Sequence, residues 1–254
     1  EACLVGSEMC IRDRAANCDH VERAWWLQIH RCCRIWRRTR MLEAAVNTLL
    51  LATSNPHKVE EVAATLGPLG WKICTLQDVA DGRPLPTEPI EDAPDFEGNA
   101  AIKAKAYAAW SGIPTLADDS GLVVDALDGA PGVHSARWSG VSGDRATRDA
   151  ANNQKLIQAL QSIAQADRSA RFVCVLCLAE PNGVIRHMVR GTMEGHIITE
   201  PRGENGFGYD PHLLLPEGRT SAELSPDEKN NRSHRGHACR ALALALGQPD
   251  KDQN

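Results

Sequence analysis

Between residues 48 and 76 the hydrophobic pattern changes from an apolar run to helical spacing and back. The continuous apolar run at 48–53 predicts a buried first strand. Asn55 suits a helix N-cap and Pro56 suits the first helical position, and apolar residues then recur at helical spacing up to residue 66. A second strand is predicted over 71–76. These positions predict a strand, a helix and a strand in succession.

The middle of the chain contains a short polar segment between two apolar runs. A helix over about 96–110 is predicted by its alanines, with Asp95 as its cap. Residues 113–116 and 122–124 are apolar and flank Asp-Asp-Ser-Gly at 118–121. We therefore expect two strands that meet at a tight connection, where the terminal glycine eases the backbone.

The rest of the chain continues the alternation of helix and strand patterns. Helical spacing runs from residue 145 to about 163, and two apolar runs, 172–178 and 184–189, are joined through Asn182-Gly183, a strong hairpin signal. The segment at 191–197 is expected to continue the sheet. Helices are expected to start near residues 225 and 233, and the tail after 247 to fray.

Composition limits the class of protein. The chain has 254 residues, 43% of them apolar, and a formal net charge of −5, which argues against nucleic acid as a partner of the whole surface. It has no run of 18 apolar residues, so no membrane span is expected. Cys174 and Cys177 lie three apart in a predicted strand, where they would face opposite sides and not share a metal. Reduced thiols and a cytoplasmic location fit the cysteine usage best.

Residues 1–40 differ from the remainder. They contain eight Arg, no Lys and five acidic residues, a net charge of +3. The basic run at 31–40 is compatible with an arm for nucleic acid or anionic lipid. The favoured interpretation is a non-native or disordered extension without function, with Met41 as the natural start and 41–254 as a single domain.

Several segments carry candidate chemistry, each with a plainer alternative. The loop before the first helix offers backbone N–H groups, the Thr53, Ser54 and Asn55 side chains and Lys58 as a phosphate seat, or is only a connection. The carboxylates of Asp118 and Asp119 suit a hard cation such as Mg²⁺, or form a solvated turn. An acid of the proline-rich loop at 84–95 would complete that metal site, or only keep the loop soluble.

Two further segments suit a nucleotide. Lys103 lies one turn inside the helix that follows Asp95, where it faces phosphate or only solvent. In the segment at 206–211, glycines flank Phe207, so that a flat base could approach and stack on the ring. Asp210 could accept a hydrogen bond from a base N–H. The alternative is a turn around a buried aromatic residue.

Residues 49–246 resemble the non-canonical purine nucleoside triphosphate pyrophosphatase family, the enzymes that act on inosine and xanthosine triphosphates. The motifs that carry the resemblance, in matching order and spacing, are LATSNPHK at 51–58, FEGNA at 96–100 with Lys103-Ala104, ADDSGL at 117–122, GAPGVHSAR at 129–137, and Glu228-Lys229 followed by Ser233-His234-Arg235. Two positions depart from the family pattern. Ser54 stands where the family usually has Gly, and Gly98 stands where it usually has Glu, which removes a carboxylate near the site.

The resemblance implies hydrolysis of the α–β bond of inosine, deoxyinosine or xanthosine triphosphate to a monophosphate and pyrophosphate. It implies Mg²⁺ held by Asp119 and Glu91, with Asp119 as catalytic base and Asp118 supporting the metal indirectly. Substrate-binding roles are implied for Thr53, Ser54, Asn55, Pro56, His57 and Lys58, for Lys103 and Ser120, for Phe207, Gly208, Tyr209 and Asp210, and for Lys229, His234 and Arg235.

The fold implied by the resemblance is one α/β domain. It would contain a long, twisted mixed β-sheet flanked by helices, with two lobes around a central nucleotide cleft, in a protein that forms homodimers. The competing hypothesis is a catalytically silent nucleotide-binding or sensor protein on the same scaffold. Retention of the charged candidates Lys58, Glu91, Lys103, Asp119, Lys229 and Arg235 argues against that hypothesis.

Overall fold

The structure is a computed structural model that describes residues 48–82 and 84–247. The interpretation of residues 1–40, the start at Met41 and the fraying of the tail lie outside the described residues and stay predictions. Among the described residues, no helix combines the length and the apolar character needed to cross a membrane.

Six strands and six α-helices make up the described part of the chain. The strands are β1 (Thr48–Leu51), β2 (Lys72–Cys74), β3 (Thr115–Val124), β4 (Ser169–Ala179), β5 (Ile185–Ile197) and β6 (Leu213–Leu214). The helices are α1 (Pro56–Leu66), α2 (Leu76–Ala80), α3 (Phe96–Ser111), α4 (Arg145–Ala159), α5 (Pro226–Arg232) and α6 (His234–Leu246). The segment expected to be helical up to residue 163 therefore leaves the α-helix four residues earlier.

The strands form one mixed sheet in the order β2-β1-β3-β4-β5-β6. β1 runs parallel to both β2 and β3, and the pairs from β3 to β6 are antiparallel. The predicted Asn-Gly hairpin is confirmed between β4 and β5. Gly183 has a φ of 84°, a left-handed conformation that glycine adopts without strain, and its N–H donates to the Glu180 carbonyl at 2.8 Å. The expected α/β class and mixed sheet are confirmed.

The prediction that two strands meet at the polar segment 118–121 is wrong. β3 is one unbroken strand of ten residues, paired with β4 from Thr115 opposite Ala179 to Val124 opposite Ala170. Gly121 is required here by a close approach, because a Cβ would lie 2.4 Å from the Ser135 hydroxyl oxygen and 2.5 Å from the Gly132 carbonyl oxygen. Carboxylates can occupy the middle of this strand because each has a cation as partner, as described below.

Both faces of the sheet are covered by helices. α1 and α6 pack on the face that presents Leu49, Leu51 and Leu116, and α3 packs on the opposite face. Cys174 belongs to the first core and Cys177 to the second, which confirms that they face opposite sides. A third cluster, which contains Leu122, Phe172 and Tyr209, lies toward the end of β3 and the loops after β5. Because side chains alternate along a strand, Asp118 and Asp119 face opposite sides of the sheet.

Candidate functional site

A cavity of about 520 Å³ brings together segments that are distant along the chain. The first half of the chain contributes the predicted site residues Thr53, Ser54, Asn55, Lys58 and Ser120. The second half contributes Phe207, Gly208, Tyr209, Asp210, Lys229, His234 and Arg235. α1 does begin at Pro56, but the side chains of Pro56 and His57 lie outside what the structure describes.

Three predicted site residues, Glu91, Lys103 and Asp119, form a separate group on the α3 side of β3. The loop that contains Glu91 connects this group with the cavity, because Glu88 from the same loop lines the cavity. Lys58 and Lys229 therefore lie in the cavity, whereas Lys103 contacts Asp119 from the other face of the sheet. The two groups meet at β3, where Asp118 and Asp119 are neighbours.

Asp118 holds two cations at the edge of the cavity. Its Oδ1 accepts a hydrogen bond from the ammonium of Lys58, and its Oδ2 accepts from Nε of Arg235 at 3.0 Å and from Sγ of Cys174 at 3.0 Å. Burial alone would raise the pKa of Asp118, but the charges of Arg235 and Lys58 hold that pKa well below its usual range. Asp118 is therefore a carboxylate at neutral pH, and it orients Lys58 and Arg235. Its indirect support of a metal stays a prediction.

Arg235 is almost completely buried, and each of its three guanidinium nitrogens donates a hydrogen bond. Besides the bond to Asp118, it donates to the Glu61 carboxylate at 2.7 Å and to the Ser120 hydroxyl at 3.2 Å. Sequence reasoning missed Glu61. A signal was present, since Glu61 follows Lys58 by three positions and so lies on the same face of α1. Two carboxylates therefore balance the two cations when no other anion is near.

On the α3 side, Lys103 lies between two carboxylates. Its ammonium is 3.0 Å from Oδ1 of Asp119 and 3.3 Å from Oε1 of Glu91. Oδ2 of Asp119 is buried and has no hydrogen-bond partner among the described residues. Burial raises the pKa of Asp119, against the opposing effect of Lys103. A buried carboxylate oxygen without a donor is an incomplete environment that a proton, a water molecule or a metal ion would complete.

The donor types in this group suit a hard divalent cation. Asp119 and Glu91 supply carboxylate oxygens, the ligands that Mg²⁺ prefers, and Mg²⁺ usually takes its remaining ligands from water and substrate phosphates. Within residues 48–82 and 84–247 there is no cluster of three or more His, Cys, Asp or Glu side chains that would hold a metal by itself. Asp119 and Glu91 would therefore supply only part of the ligand set of such a cation.

The departure at Gly98 has a structural consequence. A Cβ at position 98 would lie 2.4 Å from the Cβ of Ala93, so any side chain there requires the preceding loop to move. One residue later, the buried Asn99 accepts a hydrogen bond from the Ala93 N–H at 3.0 Å and fixes the same loop against α3. The absence of a side chain at position 98 thus allows the loop that carries Glu91 to pack closely on α3. Ser54, the other departure, is exposed at the cavity.

The loop that presents Phe207 is organised by Asp210. Oδ2 of Asp210 accepts from the Phe207 N–H at 2.8 Å and from the Lys229 ammonium at 2.5 Å, and Oδ1 accepts from the Ser221 hydroxyl at 2.7 Å. Gly206 has a φ of 82°, and a Cβ there would lie 2.2 Å from Oδ2 of Asp210. Asp210 therefore holds the turn closed, and both of its oxygens already have protein donors. Its predicted bond to a base stays a prediction.

His234 lies in the wall of the cavity and has a neutral ring. Its ring stacks on Phe172 with 5.1 Å between centroids, and its Nδ1 is buried with no partner among the described residues. Burial and the charge of Arg235 lower the pKa of His234 well below its ordinary value. The neutral imidazole carries one N–H donor and one acceptor nitrogen. The buried Nδ1 therefore keeps a hydrogen-bonding capacity that no described residue uses.

Sequence reasoning also missed the contribution of α4. Arg145, Arg148 and Asp149 from the first turns of this helix line the cavity, although the sequence pattern identified only their helical spacing. The guanidinium carbon of Arg145 lies 4.0 Å from the centre of the Phe207 ring. The positive charge at 145 and 148 was the available signal, but nothing in the sequence placed it opposite residue 207.

Comparison with known proteins finds a matching family and many similar curated proteins. The model of the Ham1 family matches residues 49–245. A dITP/XTP pyrophosphatase of Exiguobacterium is 50% identical over 199 residues, which cover 78% of this chain and 96% of that protein. A dITP/XTP pyrophosphatase of Thermus thermophilus is 46% identical over 207 residues, which cover 80% of this chain and 95% of that protein.

Solved structures show the same similarity. A HAM1 protein from Coxiella burnetii superposes with a TM-score of 0.71 at 41% identity, over 79% of this chain and 98% of that one. A nucleoside-triphosphatase, also described as a dITP/XTP pyrophosphatase, from Mycobacterium abscessus superposes with a TM-score of 0.63 at 44% identity, over 79% of this chain and 100% of that one.

Proposed function

This chain belongs to the Ham1 family, the family that its motifs resemble, and we propose that it hydrolyses non-canonical purine nucleoside triphosphates. The substrates are inosine, deoxyinosine and xanthosine triphosphates, and the products are the nucleoside monophosphate and pyrophosphate. Relatives named dITP/XTP pyrophosphatase support this assignment, because the match to this chain extends over more than nine-tenths of their length. The physiological result is removal of these nucleotides from the nucleotide pool.

The observation that supports the proposal is that a single cavity is lined by both cations and aromatic rings. Lys58 and Arg235 line it from α1 and α6, and Phe207 and Tyr209 line it from the loop after β5. A nucleoside triphosphate requires both, since its charge is at one end and its flat base at the other. The known requirement of phosphoryl transfer is positioning and charge stabilisation, which this arrangement supplies.

At the phosphate end, the cations would bind substrate oxygens while the protein carboxylates hold them in position. Lys58 and Arg235 are paired with Asp118 and Glu61 in the described structure. Carboxylates keep the two cations oriented while the cavity holds no ligand. Triphosphate oxygens would add to this network, and Thr53, Ser54 and Asn55 would supply further donors at the start of α1. Lys103 would contact phosphate from beside Asp119.

At the reacting phosphorus, Asp119 is the proposed catalytic base. Its unpaired Oδ2 is the acceptor for the proton of the attacking water, and its Oδ1 stays bonded to Lys103. Asp119 and Glu91 are also the residues that would hold Mg²⁺. When bound, that ion would neutralise phosphate charge and help to orient the water. Lys103 keeps the two carboxylates together, so that both are in place before substrate arrives.

At the base end, selectivity arises from hydrogen-bond donors. Hypoxanthine and xanthine have a 6-keto oxygen, an acceptor, where adenine has an amino group, a donor. The neutral His234 would donate to that oxygen, with Phe207 stacked against the ring. Adenine would leave the donor unpaired, and a site built to pair polar groups rejects the wrong partner by roughly several kcal/mol. Tyr209 and Gly208 complete this wall.

The proposal extends to assembly and location. We expect a cytoplasmic homodimer that does not bind nucleic acid or membranes. Sedimentation of the full chain would measure the oligomeric state. Removal of residues 1–40 would show whether any salt-dependent DNA binding comes from their basic run, since such binding should then disappear.

Steady-state pyrophosphate release with Mg²⁺ tests the proposed activity. The panel is inosine, deoxyinosine, xanthosine, guanosine and adenosine triphosphates, and the first three should be hydrolysed in preference to adenosine triphosphate. Asp119→Asn should lower kcat by roughly 10²–10⁴-fold, the usual contribution of a general base, with thermal stability retained. Asp125→Asn, in the exposed pair with Arg171, is the matched control and should keep wild-type kcat.

The outcomes separate the hypotheses. Wild-type turnover by Asp119→Asn would remove Asp119 from the mechanism. Nucleotide binding without pyrophosphate release from any member of the panel would support the silent nucleotide-binding protein.

A further inference from the structure

Helix α4 presents one stripe of side chains to the loop that contains Phe207 and Gly208. Arg145, Asp149 and Asn153 are spaced four residues apart, so they lie on one face of the helix. Asp149 accepts a hydrogen bond from the Gly208 N–H at 3.0 Å, and Asn153 donates to the Gly208 carbonyl at 2.9 Å. The two side chains hold Gly208 from both of its backbone groups, and so fix the loop relative to the helix.

Arg145 completes this stripe at the cavity. Its guanidinium carbon lies 4.0 Å from the centre of the Phe207 ring, within the range of a cation–π contact. Nε of Arg145 is 3.7 Å from Oδ2 of Asp149, the carboxylate that also binds Gly208. The side chain of Arg145 is 43% exposed, so it can move away from the ring without opening the core. The guanidinium thus stacks on the Phe207 ring, and the exposed Arg145 side chain can change its position relative to the ring.

We propose that Arg145 is a base-positioning residue that forms the second wall of the purine site, with the base inserted between its guanidinium and the Phe207 ring. This inference rests on the proposed function for the identity of the base. A guanidinium plane and an aromatic ring each stack on nucleobases. Inserting the base replaces one stacking contact by two, so the exchange favours the occupied site. The contact is independent of ring substituents, and Arg145 therefore contributes affinity for purines rather than discrimination among them.

Equilibrium binding of inosine 5′-monophosphate to the full chain tests this role, because binding can be measured whether or not the protein is a catalyst. Arg145→Ala should raise the dissociation constant by roughly threefold to tenfold, the scale of a cation–π contact at a partly exposed site. Arg145→Lys keeps the charge but not the plane, and should restore little of the loss. Binding of ribose 5-phosphate, which has the phosphate but no base, should be the same in wild type and Arg145→Ala.

Arg171→Ala is the control for the loss of one positive charge, since Arg171 pairs with Asp125 and Glu194 and is not among the residues that line the cavity. It should bind inosine monophosphate as the wild type does. If Arg145 acts only through its charge, Arg145→Lys restores binding, which would overturn the proposal. Tighter binding by Arg145→Ala would also overturn it, because the guanidinium would then compete with the base.

Failure of the inference and failure of the proposed function are distinguishable. Pyrophosphate release by a protein whose Arg145→Ala variant binds inosine monophosphate as the wild type does would refute only the role of Arg145. Weakened binding in that variant without pyrophosphate release from any triphosphate would refute only the catalytic function. No binding of inosine monophosphate to the wild type would refute the base site itself.

Discussion

Replacement of Asp118 by Asn tests the interpretation of the buried charge network. The change keeps the size of the side chain but removes its charge and one acceptor. In the structure, Asp118 accepts from Lys58, Arg235 and Cys174, and from the Ser120 hydroxyl at 3.2 Å. An asparagine has a single acceptor oxygen, and its NH₂ group would face a donor. Lys58 and Arg235 would then have Glu61 as their remaining carboxylate, at the side of Arg235.

The expected loss of stability on Asp118→Asn follows from the burial of the ion pair. The side chain of Asp118 is 1% exposed and that of Arg235 is 3% exposed, so solvent cannot compensate for the lost charge. Removal of one partner from a buried ion pair typically lowers the free energy of unfolding by about 3–5 kcal/mol. For a domain of this size, each kcal/mol shifts Tm by about 2–4 °C, so Asp118→Asn should lower Tm by roughly 6–20 °C. Because the partly exposed Lys58 ammonium can be solvated by water, we expect a loss of stability near the lower end of this range.

The assay is thermal or urea unfolding of the wild type, Asp118→Asn and the control Asp125→Asn. Asp125 pairs with Arg171 at the surface, where such pairs contribute about 0–1 kcal/mol. Because the pKa of Asp118 is lowered in the folded state, its contribution is fully present above its ordinary pKa of 3.8 and is lost as the pH falls through the lowered value. The difference between wild type and Asp118→Asn should thus be the same at pH 5 and pH 7. A loss no larger than that of Asp125→Asn would refute the reasoning.

Two further substitutions test the positions around β3. Lys58→Ala should chiefly raise the KM for inosine triphosphate, because Arg235 still neutralises Asp118 and keeps the fold, and wild-type kinetics would show that the loop after β1 is only a connection. Gly121→Ala should lower the free energy of unfolding by about 1–3 kcal/mol, since its Cβ would meet Ser135 and the Gly132 carbonyl. Gly67→Ala, with no atom within 4 Å of its new Cβ, is the control, and equal stability of the two variants would contradict the close approach.

Local signals in the sequence predicted the elements that depend on local physics. The start of α1 at Pro56 is confirmed, and so is Asp95 as the cap of α3, whose carboxylate accepts from the Gly98 N–H at 2.7 Å. The hairpin between β4 and β5 is also confirmed. In each case, the residues that determine the structure lie within a few positions of one another, so a single sequence contains the whole signal.

The errors and omissions concern contacts between residues that are far apart along the chain. The polar residues between two apolar runs suggested a tight connection, whereas the cations that pair with the two aspartates are distant along the chain. Asp118 meets Arg235, 117 residues away, and Asp119 meets Lys103 on the other face of the sheet. The contact of Arg145 with Phe207 spans α4 and a distant loop in the same way. Such pairings become visible only once the sheet order and the helix packing are known.

The central claim is that the cavity directs cleavage to the α–β bond of a non-canonical purine triphosphate. The most direct measurement is identification of the products formed from inosine triphosphate and Mg²⁺ by anion-exchange chromatography. The account predicts inosine monophosphate and pyrophosphate in equal amounts, with no inosine diphosphate at any time. Accumulation of inosine diphosphate and orthophosphate would contradict it.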